Sequence, residues 1–429
     1  MGIAQHKSLA IKAAIDQGLL DDNKPVVALM NIQGLQKSVN DLITAFPDHF
    51  QHCFAVKANP YLKFLEVLNR AGMGAEVASP TELEISLNAG FAVNNMVFDA
   101  PVKTHQEIDR ALSLGIAFNI DNFQELERVS DWFNSNSSSS SIGFRINPQI
   151  GAGAVESTST ATMTSKFGIG LFDNRERIIT ACKQYEWIDT LHVHVGSIGC
   201  SLELMAKGIS AAVNLAEDIN EKLDYKKITK LDIGGGLPVD FTQDIDKPSF
   251  SEYAKFLSKT VPLLFDGSYQ VTTEFGRAIA AKNAMTIGRV EYTKTTGERT
   301  IALTHIGVQT LVRTVYEPDV WTRRISAFTE RGEFKIDKMA IQDIAGPACF
   351  SGDLIARERL MPMLEPKDYI MVHDTGAYHF SSHYQYNALP RVPVYGYTVN
   401  KSEDKSNKVS FTLFSKGQTT QDVINDYSY

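Results

Sequence analysis

The chain has 429 residues, and since a single hydrophobic core rarely grows to this size, we expect a large domain and a smaller one. Hydrophobic residues make up 43% of the chain and charged residues 21%, and the formal net charge of -8 is spread along it, as in an ordinary globular protein. This balance excludes the basic patch that nucleic-acid binding requires, and no apolar run reaches membrane-spanning length, so neither nucleic acid nor a membrane is an expected partner.

Short apolar, β-rich runs alternate with segments of helical period over residues 26–275, a pattern typical of parallel βα units. Eight such strands with intervening helices predict a (β/α)8 TIM barrel that closes near residue 275. In chain order the predicted strands are HCFAV (52–56), GAEVA (74–78), MVFDA (96–100), IAFNI (116–120), IGFRI (142–146), LHVHV (191–195), KLDI (230–233) and VTTE (271–274).

Residues 276–429 have a different pattern, with runs such as TIGRVEYTKT, YIMVHD, VPVYGYTV and KVSFTLF separated by turn residues. Little helical period is present here. This predicts a mainly antiparallel β domain, a sandwich or a barrel, to which we also assign residues 1–25.

The cysteines and the first residues of the chain indicate the cellular compartment. Cys53, Cys182, Cys200 and Cys349 form neither a CxxC pair nor a close cluster, which argues against a zinc ribbon or a disulfide framework. The sequence MGIAQHKSLAIKAAIDQ has no apolar signal core. We therefore expect a cytoplasmic protein.

Functional residues of a TIM barrel project from the C-terminal ends of its strands. An amine, an imidazole, two glycine turns that can cradle an anion and a carboxylate at the end of the last strand all face one mouth of the predicted barrel. The residues that the strand ends present are Lys57, Glu76, Arg145, His194, Ser197, Gly234, Gly235, Gly236, Glu274, Gly276 and Arg277.

Each of these features also has a simpler interpretation. A lysine is usually a surface charge, but Lys57 follows a wholly apolar strand and can become nucleophilic by desolvation at the mouth. A triple glycine is often only a loop, yet after LDI it matches a nest of backbone N–H groups suited to phosphate. His192 and His194 resemble a metal pair, but no acidic or cysteine ligand lies at matching spacing, so we predict no metal site. His379 and His383 are expected to be packing or polar rim residues.

Nine motifs along the chain resemble the PLP-dependent decarboxylases of the alanine-racemase fold, the group of diaminopimelate, ornithine and arginine decarboxylases. The resemblance covers nearly the whole chain, and it implies a fold-type III enzyme that binds pyridoxal 5'-phosphate (PLP) in the barrel and decarboxylates an amino acid to CO2 and an amine. In chain order the motifs are FAVKAN, EVASPTEL, FRINP, SKFG, HVHVGS, LDIGGG, EFGRAI, GPACFSGD and GAYHFSSHYQYN.

The resemblance implies a role for each residue. Lys57 would hold PLP as a Schiff base, His194 would stack on the pyridine ring, and Glu274 would keep the ring nitrogen protonated, so that the ring acts as an electron sink. Glu76 and Arg145 complete the predicted cofactor-binding set. The residues implied in phosphate binding are Ser197, Gly234, Gly235, Gly236, Gly276, Arg277 and Tyr378.

Cys349 resembles the cysteine that crosses from the partner subunit and protonates the carbanion, so a homodimer with shared active sites is expected. The simpler interpretation is a small buried packing residue, the usual place of a free cysteine. The motif GPACFSGD occurs, however, where the family has its active-site loop.

The predicted substrate residues are Arg313, Tyr316, Phe350 and Asp353. Phe350 stands where diaminopimelate and ornithine decarboxylases have an acidic residue for the distal ammonium, and the distal pocket is therefore more apolar. Arg313 and Tyr316 resemble the substrate-carboxylate motif, with a spacing one residue shorter than in the family. Phe275 replaces the usual proline of the glutamate-glycine-arginine turn. These departures favour a carboxylated or conjugated amino acid of a siderophore or other secondary pathway.

Several alternatives remain open. The substrate can instead be diaminopimelate, as in lysine biosynthesis, or ornithine or lysine. An amino-acid racemase on the same fold is disfavoured, because an arginine rather than Glu274 is expected against the pyridine nitrogen there. An inactive binding protein is disfavoured because Lys57 and Cys349 are both present.

Overall fold

The structure, a computed structural model, describes residues 3–245, 247–336, 338–401 and 407–428, with residues 3–5 described by their backbone alone. The described residues fall into two compact units. One, the barrel unit, comprises Gln36–Val239 and Asp246–Ile279, and the other, the β unit, comprises Met1–Leu35, Asp240–Ile245 and Ala280–Tyr429.

Strands and helices alternate regularly only in the barrel unit, and the β unit is built mainly of strands. The strands are β1 (Val26–Asn31), β2 (Phe50–Ala55), β3 (Gly74–Val77), β4 (Met96–Phe98), β5 (Ala117–Ile120), β6 (Ile142–Asn147), β7 (Ile169–Gly170), β8 (Ile188–Val193), β9 (Lys230–Asp232), β10 (Gln270–Phe275), β11 (Ala284–Thr296), β12 (Arg299–Thr304), β13 (Ile325–Phe328), β14 (Met339–Ala345), β15 (Leu354–Pro362), β16 (Tyr369–His373), β17 (Val394–Lys401) and β18 (Asn407–Ser415). The helices are α1 (Ile3–Asp16), α2 (Ile32–Ala45), α3 (Leu62–Arg70), α4 (Pro80–Asn88), α5 (His105–Leu114), α6 (Phe123–Phe133), α7 (Leu171–Gln184), α8 (Leu202–Leu223), α9 (Phe250–Thr260), α10 (Arg277–Ala280), α11 (Val308–Tyr316) and α12 (Thr420–Asp426).

The predicted TIM barrel is confirmed. Its strands pair in parallel in the order β2-β3-β4-β5-β6-β8-β9-β10, and β10 pairs with β2 to close the ring. Each ring strand overlaps one of the eight runs read from the sequence. The two-residue strand β7 was not predicted, and it pairs with β6 outside the ring. The runs were recognisable because parallel strands are covered on both faces and hence apolar throughout.

Capping residues start the barrel helices soon after the strand ends. Thr104 accepts a hydrogen bond from the Glu107 N–H and Glu107 returns one to the Thr104 N–H, which forms a capping box at the start of α5. Helix α5 ends at Gly115, whose φ of 77° is costly for other residues. Asn122 and Ser201 cap α6 and α8 by accepting hydrogen bonds from the Glu125 and Leu204 N–H groups, without a reciprocal bond. These short connections leave the strand ends open at the barrel mouth.

The β unit contains the predicted, mainly antiparallel sheet. Its strands follow the order β15-β14-β12-β11-β1-β17-β18, with β16 paired to both β11 and β13. Strand β1 begins at the residue where the sequence analysis starts the barrel domain, and it pairs with β11 and β17. The long strand β11 pairs with β1 and β16 through its first half and with β12 through its second, and a bulge between Val290 and Tyr292 separates the halves.

Over the described ranges, no helix combines the length and the apolar character that crossing a bilayer requires.

Candidate active site

The lysine at the end of the first ring strand is paired with a carboxylate of the next. Lys57 lies in a single 3-10 turn, Val56–Ala58, directly after β2, between two buried neighbours. Its Nζ donates hydrogen bonds of 3.0 and 2.9 Å to the two carboxylate oxygens of Glu76. Glu76, on β3, is fully buried, and burial raises its pKa to about 8 although Lys57 acts in the opposite direction. Glu76 can therefore hold a proton beside Nζ near neutral pH.

A second row of ionisable side chains crosses the barrel below the mouth. Arg145, on β6, donates a hydrogen bond of 2.7 Å from Nη1 to Oδ2 of Asp99, which follows β4. The other oxygen of Asp99 lies 3.5 Å from Nδ1 of His192, on β8. Nε2 of His192 lies 3.5 Å from Oε2 of Glu274, on β10. All four side chains are buried. A chain of alternating charge thus runs from Arg145 to Glu274.

The side chains of this row stabilise one another's charged forms. Burial favours the protonated form of Glu274, but His192 and the other neighbours outweigh it and hold the pKa of Glu274 well below its usual value. Burial also favours protonation of Asp99, yet Arg145 and His192 lower its pKa. The pKa of Asp232, by contrast, is raised well above its usual value by burial and by Glu274. Of these three carboxyl groups, Glu274 and Asp99 are the two whose pKa is lowered.

His194, directly after β8, is a neutral ring in this site. The Gly235 N–H donates a hydrogen bond of 3.2 Å to its Nδ1, which fixes that nitrogen as an acceptor. The same nitrogen lies 3.8 Å from Oε2 of Glu274, which is too far for a hydrogen bond. Burial lowers the pKa of His194. A neutral imidazole can stack on a flat, charged ring without repelling it.

The triple glycine turn after β9 is shaped by close backbone approach. Gly234 and Gly236 have φ values of 64° and 93°, in the left-handed region. A Cβ atom on Gly235 would lie 2.0 Å from the carbonyl oxygen of Glu274, and one on Gly236 would lie 1.9 Å from that of Gly196. Only glycine fits at these positions, so the turn presents bare backbone to the mouth. Such turns form anion-binding concavities.

The chain was compared with known proteins. The family model for the pyridoxal-dependent decarboxylase, pyridoxal binding domain, matches residues 32–281. The diaminopimelate decarboxylase of Vibrio cholerae is 32% identical over 345 residues, which cover 79% of each chain. That of Haemophilus influenzae is 30% identical over 346 residues, 79% of this chain and 80% of the other.

The chain belongs to the PLP-dependent decarboxylase family.

Solved structures show the same fold. Diaminopimelate decarboxylase from Helicobacter pylori, complexed with L-lysine, has a TM-score of 0.82 at 24% identity over 96% of this chain and 98% of the other. Lysine/ornithine decarboxylase from Vibrio vulnificus, complexed with putrescine, has a TM-score of 0.76 at 20% identity over 91% and 98%. The protein is a carboxy-lyase with PLP as its cofactor, and the racemase and the inactive binding protein are set aside.

The residues of the decarboxylase barrel fit this cofactor. Oε1 of Glu274 is buried and accepts no hydrogen bond from the described residues. A protonated ring nitrogen is a donor that this oxygen lacks. The bare backbone of Gly234, Gly235 and Gly236 fits a phosphate group, and the Lys57 amine is the nucleophile that an aldehyde requires. The donor set thus matches a ring, an aldehyde and a phosphate together.

The other predicted site residues belong to the β unit. Cys349 is exposed, and its N–H donates a hydrogen bond of 2.6 Å to Oδ1 of Asn387. Asp353 is buried, and its carboxylate accepts hydrogen bonds of 2.7 Å from the Val308 N–H and 2.8 Å from the Ala348 N–H. Asp353 thereby joins the first residue of α11 to the residue before Cys349.

Aromatic rings surround the remaining β-unit residues. The Phe350 ring stacks on that of Tyr316 with 5.9 Å between centroids, and Tyr386 meets Phe350 edge-on at 5.7 Å. Tyr384 stacks on Tyr386 at 5.8 Å, which makes a cluster of four rings. The half-buried guanidinium of Arg313 lies 5.0 Å from the ring centroids of both Trp321 and Tyr378. No carboxylate among the described residues forms an ion pair with it.

Sequence reasoning missed Asp99 and the role of His192. The signal for His192 was present, because residues two apart on a strand face the same side and His194 had already been placed at the mouth. Spacing along the sequence reveals only neighbours close in the chain, whereas β10 brings Glu274 to both histidines, with one side-chain atom of each within 4.8 Å of the others. His379 and His383 each contact a backbone carbonyl. Tyr384 and Tyr386, within the motif GAYHFSSHYQYN, were also missed.

Proposed function

We propose that this carboxy-lyase acts on an amino acid of the diaminopimelate class, which has a second ionic end. The observation that carries the proposal is the likeness to diaminopimelate decarboxylases at 30–32% identity over about four fifths of the chain. These relatives favour diaminopimelate over the siderophore-type conjugate that Phe350 suggested. Arg313 supports the same class, because its guanidinium is half-buried between two rings and no described carboxylate pairs with it.

The barrel residues divide the chemical work among them. PLP, when bound, supplies an electron sink for the electron pair released with CO2. Lys57 would hold the cofactor, and Glu76, 2.9 Å from Nζ, could take and return a proton at that amine. Glu274 would accept a hydrogen bond at Oε1 from the ring nitrogen. His194 would stack on the ring and orient it.

The phosphate-binding set follows from the resemblance and from the glycine turn. Gly234, Gly235 and Gly236 offer backbone N–H groups, and Arg277 offers a permanent charge. Ser197, Gly276 and Tyr378 complete the set, of which Tyr378 has a φ of 62°, a conformation that costs energy outside glycine and occurs at functional sites. Arg145 acts one step away from the cofactor, through Asp99.

Cys349 is proposed as the proton donor to the carbanion, and it acts at the barrel of a partner subunit. Its exposure and its place in a turn held by Asp353 and Asn387 support a thiol that is presented outward rather than packed. A homodimer with shared sites follows from this proposal. Tyr316 and Phe350 line the path of the substrate side chain.

A substrate panel tests the proposal. CO2 release should be fastest with meso-diaminopimelate and slower with lysine and ornithine, which lack the distal carboxylate. Replacing Arg313 by Gln removes the anion-binding group, so kcat/KM for diaminopimelate should fall at least about tenfold, the equivalent of one charge-assisted hydrogen bond. Lysine turnover serves as the internal control and should change little. Lysine or ornithine turned over faster than diaminopimelate, or equal losses for all three in Arg313→Gln, would refute the proposed substrate class.

A further inference from the structure

His192 is the centre of the charge chain below the cofactor site. It lies on β8 with no exposed surface, between one carboxylate that follows β4 and another on β10. Both of its ring nitrogens are 3.5 Å from a carboxylate oxygen, and neither forms a shorter hydrogen bond with a described residue. The His192 ring is therefore held by electrostatic attraction to a carboxylate on each side, and not by a hydrogen bond with a described residue.

The two strands that flank β8 in the ring carry ionisable residues opposite His192, which are Arg145 on β6 and Asp232 on β9. Arg145, on β6, neutralises Asp99. Asp232, on β9, lies on the other side of His192 in the sheet, and burial and Glu274 raise its pKa well above the usual value. The other ionisable groups of this region include Glu76, which pairs with Lys57, and the Cys53 thiol, whose pKa is raised by burial. His194 also lies 3.8 Å from Glu274, but burial lowers its pKa. Glu274 therefore needs a positive counter-charge on the side of the barrel away from the mouth. His192, 3.5 Å from its Oε2, is the group that lies there.

We propose that His192 is a positioning residue, held as an imidazolium between Asp99 and Glu274, that keeps Glu274 ionised and aimed at the ring nitrogen of the cofactor. Arg145 is the far end of the same chain, acting on His192 through Asp99. The inference rests on the proposed role of Glu274.

The electrostatics agree with this geometry. Burial alone would make His192 neutral, but Asp99, Glu274 and Asp232 outweigh it and raise its pKa well above the usual value. A neutral His192 would leave Glu274 as a buried carboxylate without a counter-charge, and such a group takes up a proton. A protonated Glu274 carries no negative charge to hold the proton on the ring nitrogen. The ring nitrogen would then lose its proton, and the electron sink would weaken.

The first experiment uses the cofactor-free protein and no substrate. With histidine labelled in the ring nitrogens, NMR should show His192 as an imidazolium from pH 6 to above pH 8. In Asp99→Asn, its titration should move to lower pH by at least about one unit, since one opposing charge is removed. A His192 ring that is neutral at pH 7 in the wild-type protein would overturn the proposal. This result does not depend on which amino acid the enzyme decarboxylates.

The second experiment uses the cofactor-bound enzyme. His192→Gln should shift the pH dependence of the cofactor absorbance by about one unit or more and lower kcat about tenfold or more, with KM changed less than about threefold. Glu274→Gln should shift the absorbance in the same direction, and the double variant should add little to it, because the two residues act as one unit.

His52→Gln is the matched control. His52 is also a buried histidine on a barrel strand, but its Nδ1 contacts Oγ1 of Thr273 at 2.8 Å and it lies outside the charge chain. The control should lower the thermal stability and leave the absorbance profile in place. If His192→Gln behaves like His52→Gln, losing stability without a change in the absorbance profile, His192 is only a packing residue and the proposal is wrong. If His192→Gln does not bind PLP, the NMR titration decides alone.

Discussion

Asp353→Asn should break the hydrogen-bonded link between helix α11 and the loop that carries Cys349. The two oxygens of Asp353 accept hydrogen bonds from the Val308 and Ala348 N–H groups, at 2.7 and 2.8 Å, and the side chain is buried. An asparagine keeps one acceptor, but its amide nitrogen then faces a backbone N–H group. One hydrogen bond is lost, and the backbone N–H and the amide nitrogen that faces it are both left as unsatisfied donors.

The magnitude follows from those contacts. A hydrogen bond to a charged group contributes about 1.5–3 kcal/mol, so the loss of one should lower the apparent Tm by roughly 3–12 °C for a unit of this size. The effect on catalysis should be larger. A shift of about 1 Å in a group that transfers a proton costs about 10²-fold in rate, and Ala348 is the neighbour of Cys349. We expect kcat to fall by this order with KM for diaminopimelate nearly unchanged.

The assay is steady-state CO2 release together with thermal unfolding. Asp368→Asn is the control. Asp368 is also a buried aspartate of the β unit, and its Oδ2 accepts a hydrogen bond of 2.8 Å from the Glu365 N–H. It should lose stability and retain kcat. The opposite hypothesis, that Asp353 binds the distal amine of the substrate, predicts a raised KM with an unchanged Tm. That outcome, or an unchanged kcat in Asp353→Asn, would refute the positioning role.

Three further predictions concern the cofactor, the subunits and the substrate. Wild-type protein should carry a cofactor that borohydride fixes onto the chain, and Lys57→Ala should lose this adduct by mass spectrometry. Mixing Lys57→Ala with Cys349→Ala should restore part of the activity, because some mixed dimers hold one intact site; no recovery after verified subunit exchange contradicts shared sites. Phe350→Glu should raise kcat/KM for diaminopimelate about fivefold, since a charge-assisted hydrogen bond of about 1.5–3 kcal/mol replaces a cation–π contact of about 0.5–2 kcal/mol, a gain of about 1 kcal/mol. An unchanged kcat/KM would show that residue 350 does not contact the distal ammonium.

The barrel and the residues at its mouth were predictable because their signals are local. Each ring strand is a short apolar run, and the residue after the run lies at the mouth whatever the rest of the chain does. Lys57 and His194 follow from this rule alone. Glu274 also follows, because it lies in the last apolar run. The nature of the cofactor followed from the order of the motifs.

The rest depends on contacts between residues distant in sequence. Nothing near His192 shows that Asp99 and Glu274 approach it, since β4 and β10 provide those contacts. The pairing of β1 with β11 likewise joins residues more than two hundred positions apart, and no periodicity reports it. The replacement at Phe350 was noticed, but its physical context, a cluster with Tyr384 and Tyr386, required the fold of the 376–388 segment.

The barrel gathers more buried charge than its stability requires. Replacing a buried ion pair by apolar side chains is often neutral or stabilising, because desolvation offsets the attraction. Four carboxylates, those of Glu76, Asp99, Asp232 and Glu274, are buried here beside Lys57 and Arg145. Their environments drive their pKa values apart: the pKa of Glu274 is lowered, while those of Glu76 and Asp232 are raised. Carboxyl groups whose pKa values differ in this way can donate and accept protons at the same pH. An enzyme that moves protons at an amine while keeping one on a ring nitrogen needs both kinds of group.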